Sequence, residues 1–287
     1  MKAKYFTRGL VAAVFLLAVG LFITMPASAE AKTANNLLEV NKTYTQYDVT
    51  GDKKADTLLI STSWNQRYEI CEGCEVFING KKVFSRNTSP TLYAYNIEVR
   101  RLKLDNGKIY LALIPTVDND DIPGAAIYQY KKGKLKKAID LDSMSKIGNH
   151  NNVRKIIVSG NKIGVTYGEM SYSLGAMVFR LDYQYKKGKM VQITTKPKLK
   201  ETYLTYQKKT YWTANRTMNV LKSPGGKKIA TLKPGAKVKI DKIYLNTKHT
   251  KIYLHVKIKG GKSGWVKGLT KYPGEAAILF KEVMYAG

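Results

Sequence analysis

The sequence predicts an all-β protein, and three observations carry that expectation. Twenty tyrosines stand among many Val, Ile and Thr residues, the types that fit a pleated, half-buried surface. Few stretches hold an apolar period of 3.6 residues for several turns. Short apolar runs alternate instead with Gly-containing turns, and Asn79-Gly80 between two such runs is a strong hairpin signal.

Residues 43–193 divide into three similar units. The first has 56–62, then 75–84 with a hairpin turn at Asn79-Gly80. The second has 97–104, a turn at Asp105-Asn106-Gly107, then 108–114 and 126–130. The third has 153–158, a turn at Ser159-Gly160-Asn161, then 162–167 and 177–185. A literal repeat supports the division: Tyr128-Gln129-Tyr130-Lys131-Lys132-Gly133-Lys134-Leu135 recurs 55 residues later as Tyr183-Gln184-Tyr185-Lys186-Lys187-Gly188-Lys189-Met190. This period predicts four-stranded meanders, arranged as propeller-like blades or as a curved sheet. The charged, Pro-containing run Lys196-Pro197-Lys198-Leu199-Lys200 then breaks the pattern, so residues 194–207 read as a linker. Residues 208–272 show five short alternating strands with tight turns at Ser223-Pro224-Gly225-Gly226, Pro234-Gly235 and Gly260-Gly261, the pattern of a small barrel. Residues 273–287 form an extension that could add a short helix or a strand.

The first 29 residues read as an address. Lys2, Lys4 and Arg8 precede an apolar run from Gly9 to Met25, and Ala27-Ser28-Ala29 offers small residues for cleavage before Glu30. This predicts a secreted or cell-wall-associated protein, with no membrane segment after cleavage and a polar leader over 30–42. Removing 29 of the 287 residues leaves 258, enough for one large or two modest domains. The formal charge of +28 falls to +25. Residues 201–287 hold 18 Lys/Arg against 4 Asp/Glu, so the C-terminal part is the more basic. Such a chain is drawn to polyanions. Outside the cell these are wall polymers and anionic headgroups. Only 8 of the 49 basic residues are Arg, and lysine suits diffuse attraction more than bidentate base readout, which argues against specific nucleic-acid binding.

Asp48-Val49-Thr50-Gly51-Asp52-Lys53-Lys54-Ala55-Asp56 places side-chain oxygens at loop positions 1, 3, 5 and 9, with the Lys54 carbonyl at 7. Asp48, Thr50, Asp52, Lys54 and Asp56 are therefore candidate Ca²⁺ ligands. The other reading is a metal-free turn in which Asp48 and Asp52 cap backbone N–H groups. The loop resembles the aspartate-rich loop of FG-GAP/VCBS-type repeats, which implies calcium in an extracellular β-propeller. Lys53 stands where that pattern has Gly, and Thr50 where it has Asp or Asn.

Cys71 and Cys74 are the two cysteines. A zinc site needs two further ligands, and the three histidines are scattered. An oxidising exterior favours a local disulfide between them, with free thiols as the alternative. No HExxH, GxSxG or GxxxxGK[ST] motif occurs, and Cys71 lacks the helix start and nearby His of a thiol nucleophile. Asp118, Asp120 and Asp121 are the suspects for carboxylate chemistry; no catalytic residue is assigned.

The C-terminal module carries the more specific resemblance. Asn219-Val220-Leu221 with Pro224 opens it, Leu232-Lys233-Pro234-Gly235 follows, then Tyr253-Leu254-His255-Val256, and Gly264-Trp265-Val266 closes it. In this order the motifs resemble the bacterial SH3 (SH3b) domain. Leu221 stands in place of its usual Arg, and residues 244–252 lengthen the central loop. The resemblance implies recognition of peptidoglycan, an anionic cell-wall polymer or a peptide, with Tyr244, Tyr253, His255 and Trp265 as contact residues. The leading expectation is a secreted, non-catalytic binding protein. A wall-active hydrolase or its accessory, and a structural surface protein that contacts other proteins, are the alternatives.

Overall fold

A computed structural model describes residues 33–87, 94–117, 124–274 and 277–285. The fold is nearly all β, as expected. No helix among the described residues is long and apolar enough to cross a membrane. The signal-like residues 1–29 lie outside the described part.

After β1 (Ala34–Leu38), sheet one winds consecutively through β2 (Thr43–Tyr47), β3 (Asp56–Asn65), β4 (Ile70–Ile78) and β5 (Lys81–Asn87). Sheet two follows as β6 (Asn96–Lys103), β7 (Ile109–Thr116), β8 (Ala126–Lys131) and β9 (Lys134–Asp140), with β1 on the free edge of β6. A 3-10 turn (Asp142–Lys146) leads to sheet three, β10 (Gly148–Ser159), β11 (Lys162–Ser171), β12 (Gly175–Lys186) and β13 (Lys189–Gln192). β14 (Leu199–Thr202) also pairs with β12.

In each of these sheets the third strand returns into the fourth through two residues with positive φ: Asn79-Gly80 (52° and 73°), Lys132-Gly133 (50° and 76°) and Lys187-Gly188 (47° and 82°). That is the type I′ geometry, whose twist matches the flanking strands. The two lysines carry the cost of a Cβ in the left-handed region, which Asn tolerates better.

Sheet two lies between two cores. Along β7, Tyr110, Ala112 and Ile114 enter the larger core, while Leu111 and Leu113 enter the smaller one with Leu58, Ile60, Val76 and Ile78 of sheet one. Period-2 alternation sends successive side chains to opposite faces. β7 therefore reads as a continuous apolar run because both of its faces are covered.

The larger core continues through Val165, Phe179 and Leu181 of sheet three into the C-terminal region. There, after the one-turn helix α1 (Tyr203–Tyr206), lie β15 (Trp212–Thr213), β16 (Met218–Leu221), β17 (Lys228–Leu232), β18 (Lys237–Leu245), β19 (Ile252–Ile258) and β20 (Ser263–Lys267). They form sheet four in the order β15-β18-β19-β20-β16-β17.

The segment read as a linker is a packed part of the fold. Ile243 N donates to Pro197 O (3.0 Å) and Leu245 N to Thr195 O (2.9 Å), so residues 195–198 extend along the edge of β18. Leu204 of α1 is buried. The extension returns as well. Asn215 N donates to Leu279 O, Lys281 N donates to Thr213 O, and Tyr285 Oη donates to Tyr172 O in the turn between β11 and β12. Phe280 is fully buried, 5.7 Å from the ring of Trp212. The described residues from 33 onward accordingly form one compact unit with a core shared across the expected domain boundary.

Two stability outcomes follow. Phe280→Ala should cost about 3–5 kcal/mol through the cavity it opens, and urea denaturation should show one transition, not the loss of the C-terminal part alone. Lys187→Asn should stabilise the protein by roughly 0.5 kcal/mol by relieving left-handed strain, read as a higher urea midpoint at unchanged slope.

Candidate functional site

Tyr244, Tyr253, His255 and Trp265 come together on the outer face of sheet four. Antiparallel register explains why. Tyr244 stands opposite Tyr253, and Tyr253 opposite Lys267; one step along, Lys242 stands opposite His255, and His255 opposite Trp265. A bulge at Ile240/Lys242 resets the alternation of β18. Ile243 and Leu245 then point to the core, and Lys242 and Tyr244 point outward. The Tyr244 and Tyr253 rings meet edge-on at 6.0 Å, and those of His255 and Trp265 at 5.0 Å. Such pairs are the unit of sheet stabilisation.

Trp265 is buried yet belongs to neither core. The ammonium groups of Lys196 and Lys242 each lie 5.8 Å from its ring centre. Lys196 reaches it because residues 195–198 are docked along β18, a contact that the sequence did not disclose. Asp241 sits at the bulge, 2.6 Å from His255 Nδ1 and 2.8 Å from Lys257 Nζ. Burial alone would raise its carboxyl, but hydrogen bonds from Lys257 and His255 outweigh that and hold it below the usual carboxylate range. The face thus combines aromatic edges with lysines that include Lys196, Lys242, Lys257 and Lys267, and with the carboxylate of Asp241.

The acidic loop folds as a capped turn. Asp48 accepts N–H bonds from Gly51 (2.5 Å) and Lys53 (2.9 Å), and Asp52 accepts from Lys54 (2.9 Å). Asp56 is buried and accepts from Val49 N (2.7 Å), Thr50 N (2.8 Å) and Asn79 Nδ2 (2.7 Å). Burial pushes this carboxyl up, yet those bonds together hold it below its ordinary value. The Asp48 carbonyl accepts from the buried Arg101 guanidinium. In this arrangement the carboxylate oxygens are turned towards backbone N–H groups, the geometry of the capped turn. Lys53 occupies the position that favours Gly, at φ 70°. Thr50 and Lys54 contribute backbone donors to the turn.

Cys71 and Cys74 are two buried thiols, which corrects the expected disulfide. Both lie in β4 (Ile70–Ile78). A bulge opposite Ser63 and Trp64 turns both side chains into the smaller core. Burial, with Cys71 alongside, pushes Cys74 up to about 12, which leaves it unreactive as a thiolate. The suspects Asp118, Asp120 and Asp121 lie outside the described residues.

His249 carries no expected role, yet its imidazole is deeply buried and held in a polar network. It is 3% exposed in the 246–251 loop. Gln192 Nε2 donates to Thr194 O, which turns Gln192 Oε1 towards His249 Nε2 at 2.8 Å. His249 Nε2–H is then the donor, and Nδ1 accepts from the Ser143 hydroxyl at 2.8 Å. The Asp140 carbonyl, 2.9 Å from the same hydroxyl, is its alternative acceptor. Burial, then the charge of Lys146, lowers the imidazole to about 4, against a smaller opposing effect of Asp140.

No family model, curated protein or solved structure matches the chain.

Two outcomes test this chemistry. His249 is favoured neutral in the fold, so the unfolded chain binds more protons between pH 6.5 and 4. Its contribution to stability is complete above pH 6.5 and should fall by about 3 kcal/mol as pH drops to 4. His249→Gln should flatten that part of the urea-stability profile. Asp48→Ala should cost about 1–2 kcal/mol as a lost cap, equally with and without millimolar calcium; a calcium-dependent rise in melting temperature that the variant abolishes would instead establish the ion site.

Proposed function

We propose that this is an exported, non-catalytic binding protein whose sheet-four face holds an anionic cell-wall polymer or an acidic peptide derived from the wall. The observation that carries the reading is Trp265 beneath the two ammonium groups of Lys196 and Lys242, in a row with His255 and beside the Tyr244–Tyr253 pair. Lysines give charge attraction without a fixed geometry, and aromatic edges give a platform for sugar or peptide surfaces. The motif order that resembles bacterial SH3 domains falls in the same sheet and supports the same class of ligand. The signal-like N-terminus supports a location where such polymers are found. The clustering of Lys/Arg over 201–287 supports long-range capture of a polyanion.

Co-sedimentation of the protein with purified bacterial walls tests this at low and high salt. Lys196→Ala/Lys242→Ala should weaken binding roughly tenfold, about 1.4 kcal/mol, with an unchanged melting temperature. Wild-type binding by the double variant would remove this face as the site. Binding that vanishes for every form once salt screens exposed charges would reduce the interaction to net charge alone.

A further inference from the structure

A second concave site lies away from that face and shares no residue with it. A cleft of about 560 Å³ opens between the end of β9 and the 3-10 turn, the strand β13, and the 246–251 loop of sheet four. Its size is within the range of small-molecule sites. Ile139, Tyr183 and Met190 give it an apolar wall. The Ser143–His249–Gln192 network described above forms a rigid polar wall, anchored by an imidazole that is almost wholly buried.

The charge of the lining is one-sided. Lys146, Lys189 and Lys248 come from three different segments and face the cleft, and none has an ion-pair partner among the described residues. Asp140 is the one carboxylate, and Lys137 lies 3.6 Å from it. All three cations are lysines, point charges that suit a tetrahedral anion; no arginine lines the cleft to fork a planar carboxylate. The hydroxyls of Ser143, Thr247 and Thr250 can exchange hydrogen bonds with hydroxyl groups of a ligand.

We infer that this cleft binds a phosphate ester of a small polyol or sugar, with the phosphate between Lys146, Lys189 and Lys248 and the polyol against the Ser143–Gln192 wall. The lysines supply affinity for the charge. The Thr247 and Thr250 hydroxyls and the remaining lone pairs of Ser143 favour a phosphorylated polyol over a bare anion, because only the polyol adds hydroxyls that bond to them. The inference is independent of the sheet-four reading. The lengthened 246–251 loop supplies Lys248 and His249, so the cleft depends on the departure that sets this chain apart from the SH3-like pattern.

The test is amide chemical-shift titration of the isotope-labelled protein with glycerol phosphate, with glycerol and inorganic phosphate in parallel. Saturable shifts confined to residues 138–146, 189–192 and 247–250 are expected. Glycerol alone should produce none, and inorganic phosphate should bind at least several-fold more weakly than the ester. Lys146→Ala/Lys248→Ala should weaken the ester roughly tenfold or more at unchanged melting temperature, whereas Lys196→Ala/Lys242→Ala should leave it unchanged. Absence of shifts up to about 10 mM ester, a free energy near 3 kcal/mol, would overturn the inference. So would shifts spread over lysines everywhere, equal shifts in Lys146→Ala/Lys248→Ala, or inorganic phosphate binding as tightly as the ester.

Discussion

The fold depends on one constraint, the burial of sheet two on both of its faces. Its inner strands β7 and β8 satisfy two cores at once, so their residues alternate between partners and not between protein and water. Sheet one closes one side, and sheet three continues the other towards sheet four. A backbone so enclosed has to satisfy its hydrogen bonds within the sheet. The added strand β1, whose Asn35 side chain also donates to Ile156 O of sheet three, extends that pairing past β6. Displacing β7 would disturb both cores together, which makes the stability of the N-terminal and C-terminal parts difficult to separate.

Much of this was legible in the sequence because turns and alternation are local. Asn79-Gly80 and the two Lys-Gly pairs fall at the same place in three successive sheets, and their positive φ angles need no tertiary information to anticipate. The pairing of Tyr244 with Tyr253 was less legible, because it depends on the bulge at Ile240/Lys242 that resets the alternation of β18. Long-range docking was not legible. Residues 195–198 carry charge and proline, which reads as a spacer, yet their carbonyls are acceptors for β18 and Pro197 is buried. The same blindness hid Lys196 above Trp265 and the meeting of His249 with Ser143 and Gln192, partners 106 and 57 residues away in the chain. The cysteines misled for a different reason: CxxC spacing suggests an exposed turn, whereas here the pair lies in a bulged strand and both thiols are buried in the smaller core.

The distribution of charge shows how a very basic chain keeps its fold. Like charges opposite one another weaken a sheet, as Lys239 and Lys257 would across β18 and β19. Asp241 relieves that pair by holding Lys257 and His255 together at the bulge. Other lysines lie over aromatic rings, with Lys239 and Lys259 near Tyr211 as well as Lys196 and Lys242 near Trp265. A ring face accepts a cation without requiring an anion, so the surface stays positive while the strands remain paired.

The two thiols in β4 have a consequence of another kind. Both are sealed in the smaller core, and burial disfavours the thiolate that would react. A thiol reagent can reach them only when sheet one opens. The rate at which the native protein is alkylated therefore measures how often that sheet breathes, and comparing it with the rate of global unfolding separates local opening from collapse of the whole structure. Cys71 and Cys74 act as a built-in clock for the motions of the layer in which they lie.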